Sequence, residues 1–201
     1  EYLASLLGST NKERQDLTLQ NVLHAIEKVK KSLLRQGSGG QAKIKSLLFI
    51  SHKTYEQGVI GLVAGKLVEE FYRPAIVVSI GKKLSKASAR SVSGFNIIEF
   101  IRSASEFLVD AGGHPMAAGF TVETAKLLQL QKVLESKAEK MLNKDLLTRS
   151  LKIDCELPLS FVTGEVYDEI QRLSPFGMGN PEPTFISKNV TVEDMRLVGM
   201  E

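Results

Sequence analysis

Two short, almost wholly apolar runs bracket one amphipathic segment, and this arrangement restricts the chain more than any other feature. The runs are residues 46–50 and 74–80. A strand with no polar face must be covered on both sides, as in sheets flanked by helices. Between the runs, residues 58–71 place Ile60, Val63, Ala64, Leu67, Val68 and Phe71 at helical spacing. Strand, helix and strand in this order make a βαβ unit. The spacing therefore predicts an α/β fold with helices on both faces of a sheet. Gly61 and Gly65 fall inside the predicted helix. Each costs roughly 1 kcal/mol against Ala, and close helix–sheet contact is the expected reason for both.

The remaining elements are weaker. Residues 17–34 read as an amphipathic helix through Val22, Ala25 (or Ile26), Val29 and Leu33. Residues 1–16 are polar and read as a connector, and residues 36–41 as a Gly/Ser loop. Residues 94–107 begin with a glycine turn and continue as a helix. Residues 120–122 read as a strand and 124–143 as a helix carrying Leu127, Leu130, Leu134, Ala138 and Met141.

Charge divides the chain. Net charge is +3, but residues 151–201 hold four Lys/Arg against nine Asp/Glu and carry −5, which leaves +8 on the first 150. Two units meeting near 146–151 are expected, the first facing an anion. A charge of +8 over 150 residues is mild and does not by itself establish a nucleic-acid partner. In the acidic part, residues 151–157 alternate as a strand, 161–173 include a short helix, and 174–183 form a Pro/Gly loop with a structural role. Phe185 and residues 190–198 read as strands.

The single cysteine, Cys155, excludes an internal disulfide framework or Cys-based zinc site. No apolar run approaches the roughly 20 residues of a membrane span, and no signal-peptide pattern is present. A cytoplasmic setting is expected. The first residue is not Met, and the end follows a strand-like run, so a piece of a longer protein is expected.

Two stretches carry chemistry. In residues 86–92 the alternation puts Lys86, Ser88 and Arg90 on one face of a strand, and Ala87, Ala89 and Ser91 on the other. Ammonium, hydroxyl and guanidinium in a row suit phosphate oxygens; a solvated edge-strand face fits the same pattern. Residues 111–120 combine Gly112, Gly113 and Gly119 with His114. Such a stretch suits close backbone approach. It reads as a tight turn into a buried strand, with His114 as either an ordinary polar residue or a presented group.

Taken in order, several motifs resemble one family. Gly58-Val59-Ile60-Gly61-Leu62-Val63-Ala64-Gly65-Lys66-Leu67 comes first, then Tyr72-Arg73-Pro74-Ala75. Ala87-Ser88-Ala89-Arg90-Ser91 with Gly94-Phe95-Asn96 follows, and then Gly112-Gly113-His114 with Ala117-Ala118-Gly119. The set resembles the DHHA1 domain of the RecJ family of single-strand-specific exonucleases. Pro175-Phe176-Gly177 with Gly179-Asn180-Pro181-Glu182-Pro183 resembles the start of that family's OB-fold domain.

The resemblance implies a layout: connector 1–16 from an upstream DHH domain, a DHHA1 domain at 17–147 with a mixed sheet and flanking helices, and a partial, mostly β OB-like domain at 151–201. It implies 5′-to-3′ hydrolysis of single-stranded DNA with Mn2+ or Mg2+ held by the upstream DHH domain. No Asp-His-His triplet occurs here, and His24, His52 and His114 are scattered. The chain is therefore expected to bind no metal and to be inactive alone. By the same resemblance, His114 is the catalytic candidate, aimed at the scissile phosphate. Gly112 and Gly113 admit backbone to that phosphate. Arg90, Ser88 and Ser91 hold phosphates, with Lys86 and Asn96 as weaker substrate-binding candidates. Expected partners are single-stranded DNA and the upstream domain, on a monomer and with no membrane.

One departure stands out. Relatives commonly carry Trp-His-x-Gly before the Val-Ile-Gly helix, where this chain has Tyr55-Glu56-Gln57-Gly58. Glu56 and His52 are the two candidates to replace the family histidine, and His52 lies three or four residues too early to stand in without an altered loop. Two other functions fit the residues: a phosphodiesterase of small oligonucleotides or cyclic dinucleotides, and a non-catalytic single-strand-binding module.

Overall fold

The computed structural model describes residues 2–35 and 44–196. The loop expected at 36–41 lies outside the described residues. Two compact units divide the chain, residues 1–149 and 150–201.

The first unit begins with a single 34-residue helix, α1 (Tyr2–Arg35). The stretch expected as a connector is thus helical. Residues 3–16 are exposed on all sides, so they lack the apolar stripe by which a helix is recognised. No proline interrupts them. The second half of α1 does pack, burying Val22, Ala25 and Val29.

The βαβ unit follows as β1 (Leu48–His52), α2 (Ile60–Phe71) and β2 (Ala75–Ser79). β1 and β2 are parallel, with Leu48 beside Ala75 and His52 beside Ser79. The sheet continues antiparallel through β3 (Leu84–Arg90), β5 (Ala117–Glu123) and β4 (Leu108–His114), in the order β1-β2-β3-β5-β4. The short helix α3 (Ile97–Arg102) precedes β4, and α4 (Leu127–Met141) follows β5.

Alternation along β2 divides the core. Ala75 and Val77 join Val22, Ala25, Val63, Ala64 and Leu67 under α1 and α2. Ile76 and Val78 join Ala87, Ala89, Phe100, Ile101, Phe120, Leu130 and Leu134 under α3 and α4. All of β2 is buried, as its continuous apolar run requires.

The stretch containing Gly112, Gly113 and His114 is the end of β4 and not a turn. The reversal comes later, at Pro115 and Met116, a two-residue hairpin loop. The Pro115 carbonyl accepts from the Ile97 N–H, and the Met116 carbonyl from the Ser91 N–H. The hairpin tip is thereby tied to the segment leading into α3.

Arg73 and Arg149 secure the end of the unit. Arg73 donates to the carbonyls of Tyr72 and Leu147, each at 2.8 Å. The Arg149 guanidinium lies 5.5 Å from the Tyr72 ring centroid and donates to the Glu69 carbonyl.

In the second unit, the expected strand 151–157 contracts to β6 (Cys155–Glu156), parallel to β7 (Phe185–Ile186). The helix α5 (Gly164–Gln171) starts at Thr163, whose hydroxyl accepts from the Val166 N–H. Residues 190–196 form no strand, contrary to expectation. Their alternation meets no partner strand among the described residues, and an unpaired strand is not stable alone. The side-chain amide of Asn180 donates to the Leu173 and Pro175 carbonyls, bracing the Pro/Gly loop from within.

Candidate nucleic-acid interface

The period of β3 places its polar residues. Lys86, Ser88 and Arg90 pair with Ser79, Val77 and Ala75 of β2. They therefore lie on the face that α1 and α2 cover, where α2 comes close to Ser88 and Arg90 at Gly61. Beyond α2 the same face runs across β5 and β4, where Asp110, Gly112 and His114 are exposed.

Cross-strand register then builds three rows. Arg90 pairs with Ala117, and Ala117 with His114. Ser88 pairs with Gly119, and Gly119 with Gly112. Lys86 pairs with Thr121, and Thr121 with Asp110. Two strand spacings separate the ends of a row, about 10 Å. The middle of the surface is floored by Ala117, Gly119 and Gly112, which leave the backbone close to whatever lies on it. One end has two nitrogen-bearing side chains, Arg90 and His114. The other end has Lys86 and, across Thr121, an acid, Asp110, so an anion is better matched at the Arg90 end.

Arg90 does not extend freely into water. One guanidinium nitrogen, Nη1, donates to the Ala89 carbonyl at 2.9 Å and to the Ser88 hydroxyl at 3.3 Å. Half-buried, the group lines a cleft of about 460 Å³ with Arg14, Leu19 and Leu62. Among the described residues no carboxylate pairs with Arg90. Its charge remains available to a ligand.

Three expected site residues are placed elsewhere. Ser91 is buried on the opposite face, and its hydroxyl donates to the Phe95 carbonyl at 2.6 Å. Asn96 caps α3, its side chain accepting from the Glu99 N–H at 3.3 Å. Gly113 points away from the open face and takes φ 144°, a conformation for which glycine is suited. The sequence reading missed Asp110, and it named Ala117 and Gly119 only as motif residues, without a place on the floor of this face. Alternation along β4 was the available signal for Asp110; the others needed the hairpin register.

The remaining histidines form a separate group. The rings of His24 and His52 meet edge-on at 4.7 Å between centroids. His24 Nδ1 and the Tyr55 hydroxyl are 3.0 Å apart, and His52 Nδ1 lies 2.8 Å from the Thr54 hydroxyl. Burial pushes Tyr55 up to about 12. Burial, and then the charges of Lys28 and His24, hold His52 below its ordinary value. His52 thus belongs to the packing between α1 and β1. Among the described residues no group of three or more His, Cys, Asp or Glu could hold a metal ion.

Comparison with known proteins bears on this surface. The DHHA1 domain model matches residues 39–140, and the RecJ OB domain model matches residues 153–201. The single-stranded-DNA-specific exonuclease RecJ of Bacillus subtilis is 36% identical over 201 residues, 99% of this chain and 24% of its own length. The RecJ of Thermus thermophilus is 32% identical over 140 residues, 70% of this chain and 20% of its own length. The chain belongs to the RecJ family.

The RecJ fold extends to solved structures. Crystal structures of Thermus thermophilus RecJ with Mg2+ and with Mn2+ superpose at TM-scores of 0.70 and 0.71, with 28% and 27% identity. Each covers 92% of this chain, which in turn spans 27% and 26% of those chains. This RecJ-family chain therefore spans about a quarter of the relatives it matches. All three rows of the open face fall inside the DHHA1 match. No helix among the described residues is long and apolar enough to cross a membrane.

Proposed function

We propose that the open face of β3, β5 and β4 holds single-stranded DNA for 5′-to-3′ hydrolysis of its phosphodiester bonds. The observation that carries this reading is the row Arg90–Ala117–His114, two nitrogen donors across a floor without bulky side chains. Arg90 and Ser88 hold phosphate oxygens, the guanidinium offering a planar fork of donors. Lys86 adds charge along the same strand. Gly112 lets the sugar-phosphate chain lie against backbone. His114, exposed at the end of the row, donates a hydrogen bond to the phosphate oxygen whose charge grows during in-line attack. Ser91 and Asn96 support the site by fixing the turn into α3.

The described residues offer no metal site. Mg2+ or Mn2+, present in the Thermus structures, would be held by an upstream DHH domain. The roles above need only this chain's own groups. The DNA-binding part acts as a monomer in the cytoplasm, and its +8 charge draws the strand towards it.

The test compares the 201-residue chain with the same chain joined to an upstream DHH domain. Both are given 5′-labelled single-stranded DNA and Mn2+. The chain alone should bind without cutting, and the joined protein should shorten the strand from its 5′ end. A joined protein with intact metal ligands that cleaves only dinucleotides would overturn the exonuclease reading. Cutting by the chain alone would overturn the division of labour.

A further inference from the structure

We infer that Gly61 is a positioning residue for the Arg90 phosphate contact, acting from α2 on the guanidinium. This rests on the proposed DNA-binding role of the open face.

A glycine in the second position of a helix is a poor helix former, so its presence asks for a reason. A Cβ at position 61 would lie 3.1 Å from Nη2 of Arg90 and 3.1 Å from the Ser88 hydroxyl. Both distances are tighter than ordinary carbon contacts. The guanidinium is therefore bounded on three sides: by the bare Gly61 backbone, by Ser88 and by the Ala89 carbonyl. A methyl group at 61 would make the guanidinium and the Ser88 hydroxyl give way by a few tenths of an ångström, which disturbs the 3.3 Å hydrogen bond between them and with it the set of the guanidinium. Nothing in the backbone would need to move, because both crowded atoms belong to side chains.

Gly65, one turn later, is the built-in comparison. A Cβ there would meet nothing within 4 Å. It shares the helix and the poor propensity, but a methyl group there would not reach Arg90.

The experiment measures affinity for a fluorescent single-stranded oligonucleotide across a salt series. Gly61→Ala, Gly65→Ala, Arg90→Ala and the double variant Gly61→Ala/Arg90→Ala are compared in the whole 201-residue chain. On single strands each lost phosphate contact lowers the salt slope by about 0.7. Arg90→Ala should show that loss, Gly61→Ala a comparable one, and the double variant no further loss. Gly65→Ala should keep the wild-type slope. Ala favours a helix, so Gly61→Ala should retain the thermal midpoint while binding worsens, the reverse of a folding defect. The Arg90 side-chain NMR resonances should shift in Gly61→Ala and stay in place in Gly65→Ala. If Arg90→Ala lowers the slope and Gly61→Ala does not, the positioning role fails while the DNA-binding reading stands. If Arg90→Ala leaves the slope unchanged, both fall. Additive losses in the double variant would also remove the positioning role.

Discussion

Arg90 and His114 stand in one cross-strand row, joined through Ala117. They are 24 residues apart in sequence by number, yet two strands apart in space. Ala117 belongs to both pairings, so any change there acts on the space between the two donors. Ala117→Leu adds a side chain to the floor without adding charge. Oligonucleotide affinity should fall by about tenfold or more, the factor carried by 1.4 kcal/mol. The salt slope should stay near that of wild type, since no cation is lost. A binding isotherm identical to wild type would show that DNA does not cross this floor.

His114 is exposed and the sheet does not depend on its ring. His114→Ala in a protein that also carries the DHH domain should lower cleavage by more than about tenfold. That is well inside the range seen when one oxyanion donor is removed. Binding should change little. Equal cleavage by variant and wild type would remove His114 from the chemistry.

The group around Tyr55 gives the fold a pH profile unrelated to DNA. His52 titrates below its ordinary 6.5 because burial, Lys28 and His24 disfavour its charged form. The unfolded chain then binds its proton first on acidification. Stability is therefore full above about 6.5 and is lost as pH falls through the lower folded value. Tyr55, held up at about 12 against an ordinary 10.0, works in the other direction. Its contribution is full below 10.0 and is lost as pH rises to about 12. Urea midpoints at a series of pH values check both limbs. His52→Gln should flatten the acid limb, and Tyr55→Phe the alkaline one. Tyr55→Phe also gives up the contact with His24, at about 1 kcal/mol.

Periodicity reveals elements whose faces differ, and it was sufficient for the βαβ unit and for the strand bearing Lys86, Ser88 and Arg90. It also put Ser91 with Ala87 and Ala89, and the structure agrees with that alternation, burying Ser91 with its hydroxyl on the Phe95 carbonyl. The first half of α1 escaped because a helix wet on every side has no pattern to read. The meeting of Arg90 with His114 depends on hairpin register, which a one- or two-residue shift of the turn would alter. Gly61 and Gly65 look alike in sequence. Which of them faces Arg90 depends on the rotation of α2 over the sheet, a property of packing and not of local spacing.

Gly112 and Gly113 are neighbours with opposite consequences. Gly113 has φ 144°, and a Cβ there would lie 2.4 Å from the Ala117 carbonyl oxygen and 2.5 Å from the Ala118 Cα. Both are backbone atoms of the paired strand and cannot swing aside. Gly113→Ala should therefore open the end of the β4–β5 hairpin, at a cost of about 1–3 kcal/mol for the strained conformation alone. At roughly 2–4 °C per kcal/mol for a chain of this size, calorimetry would register the loss readily. At Gly112 the added Cβ meets nothing within 4 Å. Gly112→Ala should keep the melting temperature and instead raise the floor beneath the bound strand, so that only oligonucleotide affinity falls. A common drop in melting temperature for both variants would mean that the two glycines do not face opposite sides of the sheet. The open surface would then lose its floor.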